Sequence, residues 1–172
     1  MKRIVITGAE STGKTTLASS LAAHFKAPLS AEFIRSYVDE IKRPLEASDL
    51  ELIAKGQVSF EDANFDPAQD GLVFHDTNLL STLIYCEHYH GGSLDWLAGK
   101  FAERHYHYYL LCMPDIPWVP DPGQRESPAA RDSLHSKFHA RLVALNLPFT
   151  CIQGTKEERL QAAVSCLETL GV

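Results

Sequence analysis

Short runs of apolar residues alternate with longer amphipathic segments along this chain. Four runs are apolar enough to form buried strands, and a weaker fifth run spans residues 27–30. The four stronger runs are residues 3–7, 72–75, 108–112 and 149–152. The pattern therefore predicts five strands that are separated by helices.

Helical spacing is clearest after the first run and at the C-terminal end. Leu17, Leu21 and Phe25 recur every four residues, which gives the first helix a core face. The last helix has a similar apolar face, formed by Leu160, Ala163, Cys166, Leu167 and Leu170. Strands that alternate with helices pair in parallel through right-handed crossovers. We therefore predict the α/β class, with a parallel sheet of about five strands covered by helices on both faces.

Composition limits the size of the fold and the kind of ligand. With 172 residues, 45% of them hydrophobic, the chain can bury one core, and we expect residues 1–172 to form a single domain. A net charge of -6 argues against a broad nucleic-acid-binding face, so small molecules are the expected partners. We expect no membrane insertion and no signal peptide, hence a cytoplasmic protein. The sequence leaves the oligomeric state open.

The segment GAESTGKTT, residues 8–16, follows the first apolar run and precedes the first helix. It matches G-x-x-x-x-G-K-[ST], a loop whose backbone N–H groups surround the phosphates of a nucleotide. Lys14 would reach the β- and γ-phosphates of ATP, and the Thr15 hydroxyl would bind Mg²⁺. We expect nucleotide contacts from Gly8, Glu10, Ser11, Thr12, Gly13, Lys14, Thr15 and Thr16.

Asp76 ends the apolar run that begins at Leu72 and supplies the acidic group that phosphoryl transfer needs near the metal. The alternative is that Asp76 only caps a helix that opens at Thr77. Motor ATPases commonly have Glu after this Asp, and the guanine-reading motif Asn-Lys-x-Asp is also missing from the sequence. These features favour a kinase with a small hydroxyl acceptor over a motor or a regulatory GTPase.

A kinase must also exclude water while it transfers the phosphoryl group, usually with a mobile lid that carries arginines. Residues 114–128 contain five prolines and a glycine, so they predict a long, irregular loop. We expect a lid at about residues 114–132, with Arg125 and Arg131 neutralising the transferring phosphoryl group. The alternative is that both arginines are solvated surface residues.

Five segments together resemble a known family, the ribosylnicotinamide kinase domain of the NadR-type NAD-biosynthesis proteins. They are GAESTGKTT, EFIRSYV from Glu32, DLELIAKGQ from Asp49, HDTNLLST from His75 and PWVPDPGQR from Pro117. The resemblance implies a three-layer α/β/α P-loop NTPase fold of the nucleoside kinase type, with an arginine-bearing lid loop. It also implies Mg²⁺- and ATP-dependent phosphorylation of the 5′-hydroxyl of nicotinamide riboside, which gives nicotinamide mononucleotide.

The resemblance also assigns roles to individual positions. Lys14 and Thr15 would hold the nucleotide phosphates and Mg²⁺, and Asp76 would lie beside the acceptor hydroxyl. Glu32 and Arg35 follow the second strand, where related nucleoside kinases bind the acceptor. From the residues alone, Glu32 and Arg35 are an ordinary i,i+3 surface pair on a helix.

The PWVPDPGQR segment supplies the remaining roles that the resemblance implies. Asp121 and Arg125 would serve the acceptor and the phosphates. Trp118 would stack on the cationic nicotinamide ring, or else anchor the lid to the core. The family motif is W-V-x-D-G-x-R, and here Pro122 stands between Asp121 and Gly123, which shifts the register of Arg125.

Other readings of the chain remain open at this stage. The acceptor could be another nucleoside or a small alcohol, or the chain could be a regulatory module that senses ATP without catalysis. The sequence does not decide between ATP and GTP. Full-length NadR-type proteins also carry an adenylyltransferase domain that these residues lack, so we do not expect the chain to make NAD by itself.

Overall fold

The computed structural model describes residues 1–66, 68–69, 71–91, 94–119 and 127–172. Five parallel strands form one sheet in the order β2-β3-β1-β4-β5. The strands are β1 Lys2–Thr7, β2 Leu29–Ser30, β3 Leu72–Asp76, β4 Tyr108–Cys112 and β5 Phe149–Ile152. The α-helices in these ranges are α1 Lys14–Phe25, α2 Phe33–Ile41, α3 Leu50–Ala63, α4 Leu79–His90, α5 Asp95–Ala102, α6 Pro128–Ala144 and α7 Lys156–Thr169.

The predicted strands are confirmed with small changes at their ends. β1 begins one residue earlier than predicted, and β3 continues to Asp76. β2 is shorter than the predicted run, because only Leu29 and Ser30 pair with β3. Pro28 has no N–H to extend this pairing, although its carbonyl accepts from Phe74 N at 3.0 Å.

Helices cover both faces of the sheet, which confirms the three-layer arrangement. On one face, α1 and α7 pack on Ile4, Ile6 and Leu110. On the other face, α4 and α6 pack on Val5 and on neighbouring residues of β4. Both faces of β1 and β4 are therefore buried, as their nearly continuous apolar sequences require.

The core face of α7 differs from the predicted one. Its buried residues are Arg159, Ala163 and Leu167, which are spaced four residues apart. Leu170, which was predicted to face the core, is 46% exposed. An arginine therefore occupies the first position of a buried stripe that the sequence pattern assigned to apolar residues only.

The order of the strands fixes the position of the site. β1 lies between β3 and β4. The chain therefore crosses from β1 to β2 on one side of β1, and later from β3 to β4 on its other side. Ligands of open α/β sheets bind in the crevice at the carboxyl ends of the strands around such a switch point. The segment 8–13 begins at this end of β1, and β3 ends beside it with Asp76 paired to Ile6.

Candidate active site

The loop between β1 and α1 has the conformation that phosphate binding requires. Gly8 and Gly13 have φ values of 135° and 80°, a region that favours glycine. A Cβ atom at Gly8 would also lie 2.9 Å from the Cys112 carbonyl oxygen. Thr12 Oγ1 donates to the Ala9 carbonyl at 2.8 Å, which stabilises the turn from inside.

The N-terminus of α1 is open to an anion. Its N-cap residue is Gly13, and none of the described residues caps the helix through a side-chain hydrogen bond. Lys14 is buried, and its Nζ donates to the Ala9 carbonyl at 2.7 Å, so it folds back along the loop. Thr15 and Thr16 are exposed on the first turn. A bound phosphate would offer Lys14 a charged acceptor in place of this neutral carbonyl.

Asp76 is the last residue of β3 and is 3% exposed. Its Oδ1 is buried and has no hydrogen-bond partner among the described residues. The helix-cap alternative is wrong, because α4 begins at Leu79 and its cap is Asn78, whose side chain accepts from Leu80 N at 3.2 Å. Thr77 is therefore not the start of a helix; it has a φ of 66° and is 2% exposed.

Glu32 and Arg35 form the pair that their spacing predicts, with Arg35 Nε donating to Glu32 Oε2 at 3.0 Å. The pair is not an ordinary surface contact, since the Glu32 side chain is only 15% exposed. Burial raises the pKa of the Glu32 carboxyl; the charges of Lys14 and Arg35 oppose this rise, and Asp76 adds to it. Glu32 thus lies within electrostatic range of both Lys14 and Asp76.

Glu10 belongs to the phosphate loop, but its side chain contacts α4. Tyr85 OH donates to Glu10 Oε2 at 3.3 Å, whereas Glu10 Oε1 is buried without a partner among the described residues. Burial raises the pKa of Tyr85 well above its usual value, and the negative charges of Glu10 and Glu32 raise it further. The predicted nucleotide contact of Glu10 stays a prediction.

The lid segment is only partly described. Asp121 and Arg125 lie outside the described residues. Trp118 is half-buried, and the Val119 backbone N–H that follows it donates to Ser11 Oγ at 3.1 Å. This contact holds the first part of the segment against the phosphate loop. The role of Trp118 stays a prediction.

Arg131 is not in a loop, contrary to the predicted extent of the lid. α6 begins at Pro128, in the first-turn position where proline is favoured, and Ser127 caps it by accepting from Ala130 N at 3.1 Å. Arg131 is 9% exposed and donates through Nη1 to the Ile116 carbonyl at 2.9 Å. It therefore joins α6 to the segment that follows β4, and it is not a solvated surface residue.

Sequence reasoning missed the buried group that supports the first turn of α4. Glu61 is fully buried on α3; its carboxylate accepts from Leu79 N at 3.0 Å and from Tyr106 OH at 2.5 Å. Burial raises the pKa of Glu61 to about 7. A polar residue at a core position of α3 was the available signal in the sequence.

A pocket of about 180 Å³ lies beside the phosphate loop, on the face of the sheet covered by α1 and α7. Its lining residues are Gly13, Thr16, Leu17, Ser20, Ile116, Lys156 and Arg159. The pocket is separate from the Glu10, Glu32 and Asp76 carboxyl groups, none of which lines it. The loop therefore has a pocket on one side and a group of acidic side chains on the other.

Mg²⁺ fits the oxygen groups at this site. The buried Asp76 Oδ1 lacks a partner among the described residues, and the Thr15 hydroxyl is exposed at the start of α1. No group of three or more His, Cys, Asp or Glu side chains with metal-ligand spacing occurs within the described ranges. Mg²⁺ needs no such group, because proteins usually hold it with one or two carboxylates, substrate phosphates and water. In the same ranges, no helix is long and apolar enough to cross a membrane.

Comparisons with known proteins agree with this geometry. Residues 3–159 match the model of a family described as an AAA domain. The trifunctional NAD biosynthesis/regulator protein NadR of Escherichia coli K12 is 31% identical over 127 residues, which cover 70% of this chain and 30% of that protein. The chain thus spans about a third of the length of this curated relative.

Solved structures share the fold. NadR in complex with NAD and AMP-PNP has a TM-score of 0.78 and 23% identity, over 99% of this chain and 50% of that one. NadR in complex with NR has a TM-score of 0.77 and 24% identity, over 99% and 52%. Thymidylate kinase from Ehrlichia chaffeensis has a TM-score of 0.73 and 15% identity, over 97% and 98%.

These comparisons confirm the P-loop fold class and the resemblance to NadR-type proteins. The family match covers β1, the phosphate loop, Asp76 and the first turn of α7. The chain belongs to the AAA-domain family whose model its residues 3–159 match.

Proposed function

We propose that this chain is a kinase that transfers the γ-phosphate of ATP to the 5′-hydroxyl of nicotinamide riboside. The observation that carries the proposal is Asp76, a buried carboxylate with an unpartnered oxygen at the end of the strand next to the phosphate loop. The similarity to NadR proteins, one of which is described in complex with NR, supports the choice of acceptor.

Each residue of the site has a defined part in the transfer. The backbone N–H groups of residues 8–13 and the N-terminus of α1 bind the phosphates, and Lys14 neutralises charge on the transferring group. Thr15 and Asp76 would hold Mg²⁺, which polarises the phosphate oxygens when it is bound. Asp76 also accepts a hydrogen bond from the acceptor hydroxyl and orients it for attack.

Transfer to an alcohol is favoured over hydrolysis. Motor ATPases commonly have a glutamate directly after this aspartate in the sequence to activate water, and here that position is Thr77, which is 2% exposed. Glu32 lies within electrostatic range of Asp76 and adjoins the Arg35 guanidinium, so the acceptor side offers both acceptor and donor groups. These groups suit the hydroxyls of a ribose better than a single water molecule.

The charge of the acceptor side supports a cationic substrate. The Tyr85 hydroxyl contacts the Glu10 carboxylate, and the negative charges of both Glu10 and Glu32 raise the pKa of Tyr85. Nicotinamide riboside carries a pyridinium cation, whereas common nucleosides are neutral at the base. Glu10 and Glu32 are largely buried, so their negative charges would attract a cation with less screening by water than surface carboxylates would.

A coupled assay of ADP formation tests the proposal with the purified chain, ATP and Mg²⁺. The acceptors are nicotinamide riboside, deoxyadenosine, thymidine, uridine and glycerol, each supplied alone. We expect turnover with nicotinamide riboside to exceed turnover with each neutral acceptor. Turnover restricted to another nucleoside would overturn the acceptor assignment, and ATP binding without turnover of any acceptor would indicate a sensing module.

A further inference from the structure

Arg159 is a buried cation that joins three segments around the phosphate loop. It lies on the first turn of α7, is 4% exposed, and occupies the buried stripe of that helix. Its Nε donates to the Gly154 carbonyl at 2.8 Å, and its Nη2 donates to the Met113 carbonyl at 3.1 Å and to Asp115. Its Nη1 donates to the Thr12 carbonyl at 2.8 Å, which lies in the phosphate loop.

The hydrogen bond from Arg159 to the Thr12 carbonyl determines the direction of the Gly13 N–H, which would bind a phosphate. The Thr12 carbonyl and the Gly13 N–H belong to one planar peptide unit, and in a trans peptide they point in opposite directions. No cis peptide occurs among the described residues. Because Arg159 holds the Thr12 carbonyl toward α7, the Gly13 N–H points the other way, away from α7.

The positive charge of Arg159 supports the same role as its hydrogen bond to Thr12. A guanidinium that binds a peptide carbonyl polarises that peptide and makes its N–H a stronger donor. Gly13 has a φ of 80° and no side chain, so its peptide can rotate unless a neighbour holds it. Arg159 also lines the pocket beside the loop, together with Leu17 and Ile116.

We propose that Arg159 is a positioning residue, which fixes the Thr12–Gly13 peptide so that the Gly13 N–H is aimed at the nucleotide phosphates. It acts through the loop backbone and does not itself touch the transferring phosphoryl group. The proposal rests on the nucleotide site proposed above and is independent of the acceptor. It predicts that Arg159 affects the binding of any polyphosphate, including one that has no base.

The test compares Arg159→Met with wild type by calorimetric titration with ATP and with inorganic tripolyphosphate. We expect both ligands to bind about tenfold more weakly or worse in the variant, a change of about 1.4 kcal/mol. In the kinase assay, the KM for ATP should rise while the KM for the acceptor is unchanged. Weaker ATP binding with unchanged tripolyphosphate binding would overturn the proposal, because Arg159 would then act as a contact to the base.

A matched control distinguishes a positioning role of Arg159 from a general effect on the stability of α7. Glu158→Ala removes the side chain that accepts from Thr155 N at 2.8 Å, and thus weakens the start of α7 without touching the phosphate loop. It should lower the melting temperature and leave tripolyphosphate binding within about twofold of wild type. Equal losses of tripolyphosphate affinity in Glu158→Ala and Arg159→Met would reduce Arg159 to a structural role.

Arg159→Lys keeps the test decisive where the methionine variant does not fold. Lysine retains the charge but lacks the planar guanidinium, whose N–H groups donate to several acceptors at once. Tripolyphosphate should therefore bind about threefold more weakly or worse. Wild-type affinity in a folded Arg159→Lys variant would overturn the proposal. Failure of the wild-type protein to bind ATP or tripolyphosphate at all would refute the nucleotide site itself, which is a separate outcome.

Discussion

Asp76→Asn separates the proposed catalytic role of this residue from a structural one. The substitution removes the negative charge but keeps the shape of the side chain and one carbonyl oxygen. Asp76 is 3% exposed, and its Oδ1 has no partner among the described residues. The side chain therefore contributes little to folding through that atom, while its charge is available to the acceptor hydroxyl or to Mg²⁺.

Asp76→Asn should lower kcat strongly without lowering the free energy of unfolding. We expect kcat to fall on the order of a hundredfold or more, which corresponds to about 2.7 kcal/mol of transition-state stabilisation. A buried polar atom without a partner costs about 1 to 3 kcal/mol, and a buried charge costs more. Removal of the charge should therefore leave the free energy of unfolding unchanged or raise it by about 1 kcal/mol.

Steady-state kinetics and urea unfolding of the same protein samples measure both quantities. The matched control is Asn78→Ala, which removes the α4 cap and the 3.1 Å contact from Asn78 Nδ2 to Tyr109 OH. It should lower the free energy of unfolding by about 2 kcal/mol or more, because it removes the cap and leaves the buried Tyr109 hydroxyl without this partner, with a much smaller loss of kcat. Near-wild-type kcat in Asp76→Asn would show that Asp76 has no catalytic role.

Three further predictions concern other parts of the site. Lys14→Ala should abolish detectable transfer and weaken ATP binding about tenfold or more, with little loss of thermal stability, as measured by calorimetry and melting curves. Trp118→Leu should raise the KM for nicotinamide riboside about two- to thirtyfold and leave the KM for ATP unchanged; a loss of stability with unchanged acceptor KM would favour the anchor role instead. The stability that Glu61 contributes should be complete below its usual pKa of 4.5 and lost as the pH rises to about 7, since its folded-state pKa is raised. Urea unfolding between these pH values should show a decrease of up to about 3 kcal/mol that Glu61→Gln abolishes, and an unchanged decrease in that variant would refute the assignment.

Periodicity and local motifs were sufficient to predict the sheet. β4 and β5 have the predicted bounds. β4 is a nearly continuous apolar run, as a strand that is buried on both faces requires, whereas β5 is a less buried strand at the edge of the sheet that lies between Pro148 and Gln153. β2 was the exception, since a proline within the run limits its pairing to Leu29 and Ser30. The lid was predicted too long, because Pro128 reads as loop in a proline-rich segment but is the first residue of α6.

The site could be predicted where its residues are local in sequence and not where they meet through the fold. The phosphate loop and the end of β3 follow from their flanking strands. The hydrogen bond from Arg159 to Thr12 joins residues 147 positions apart, so no local pattern specifies it. The spacing of Arg159, Ala163 and Leu167 was the available signal, because a charged residue on a buried helical stripe needs a partner.

The direction of the Glu10 side chain was also beyond sequence reasoning. A loop residue was expected to contact the nucleotide, but the carboxylate meets Tyr85, which lies 75 positions later on α4. The packing of α4 on the same face of the sheet as the loop determines this contact. No local pattern in the sequence specifies a contact between residues this far apart.

The most direct test of the proposed function is a competition analysed by mass spectrometry. The purified chain is incubated with ATP, Mg²⁺ and an equimolar mixture of nicotinamide riboside, deoxyadenosine and thymidine, and the phosphorylated products are quantified at early times. We expect nicotinamide mononucleotide to be the main product, and we expect Asp76→Asn to form it about a hundredfold more slowly or worse. Phosphorylated deoxyadenosine or thymidine without nicotinamide mononucleotide would contradict the acceptor assignment, and no phosphorylated product of any kind would contradict the kinase itself.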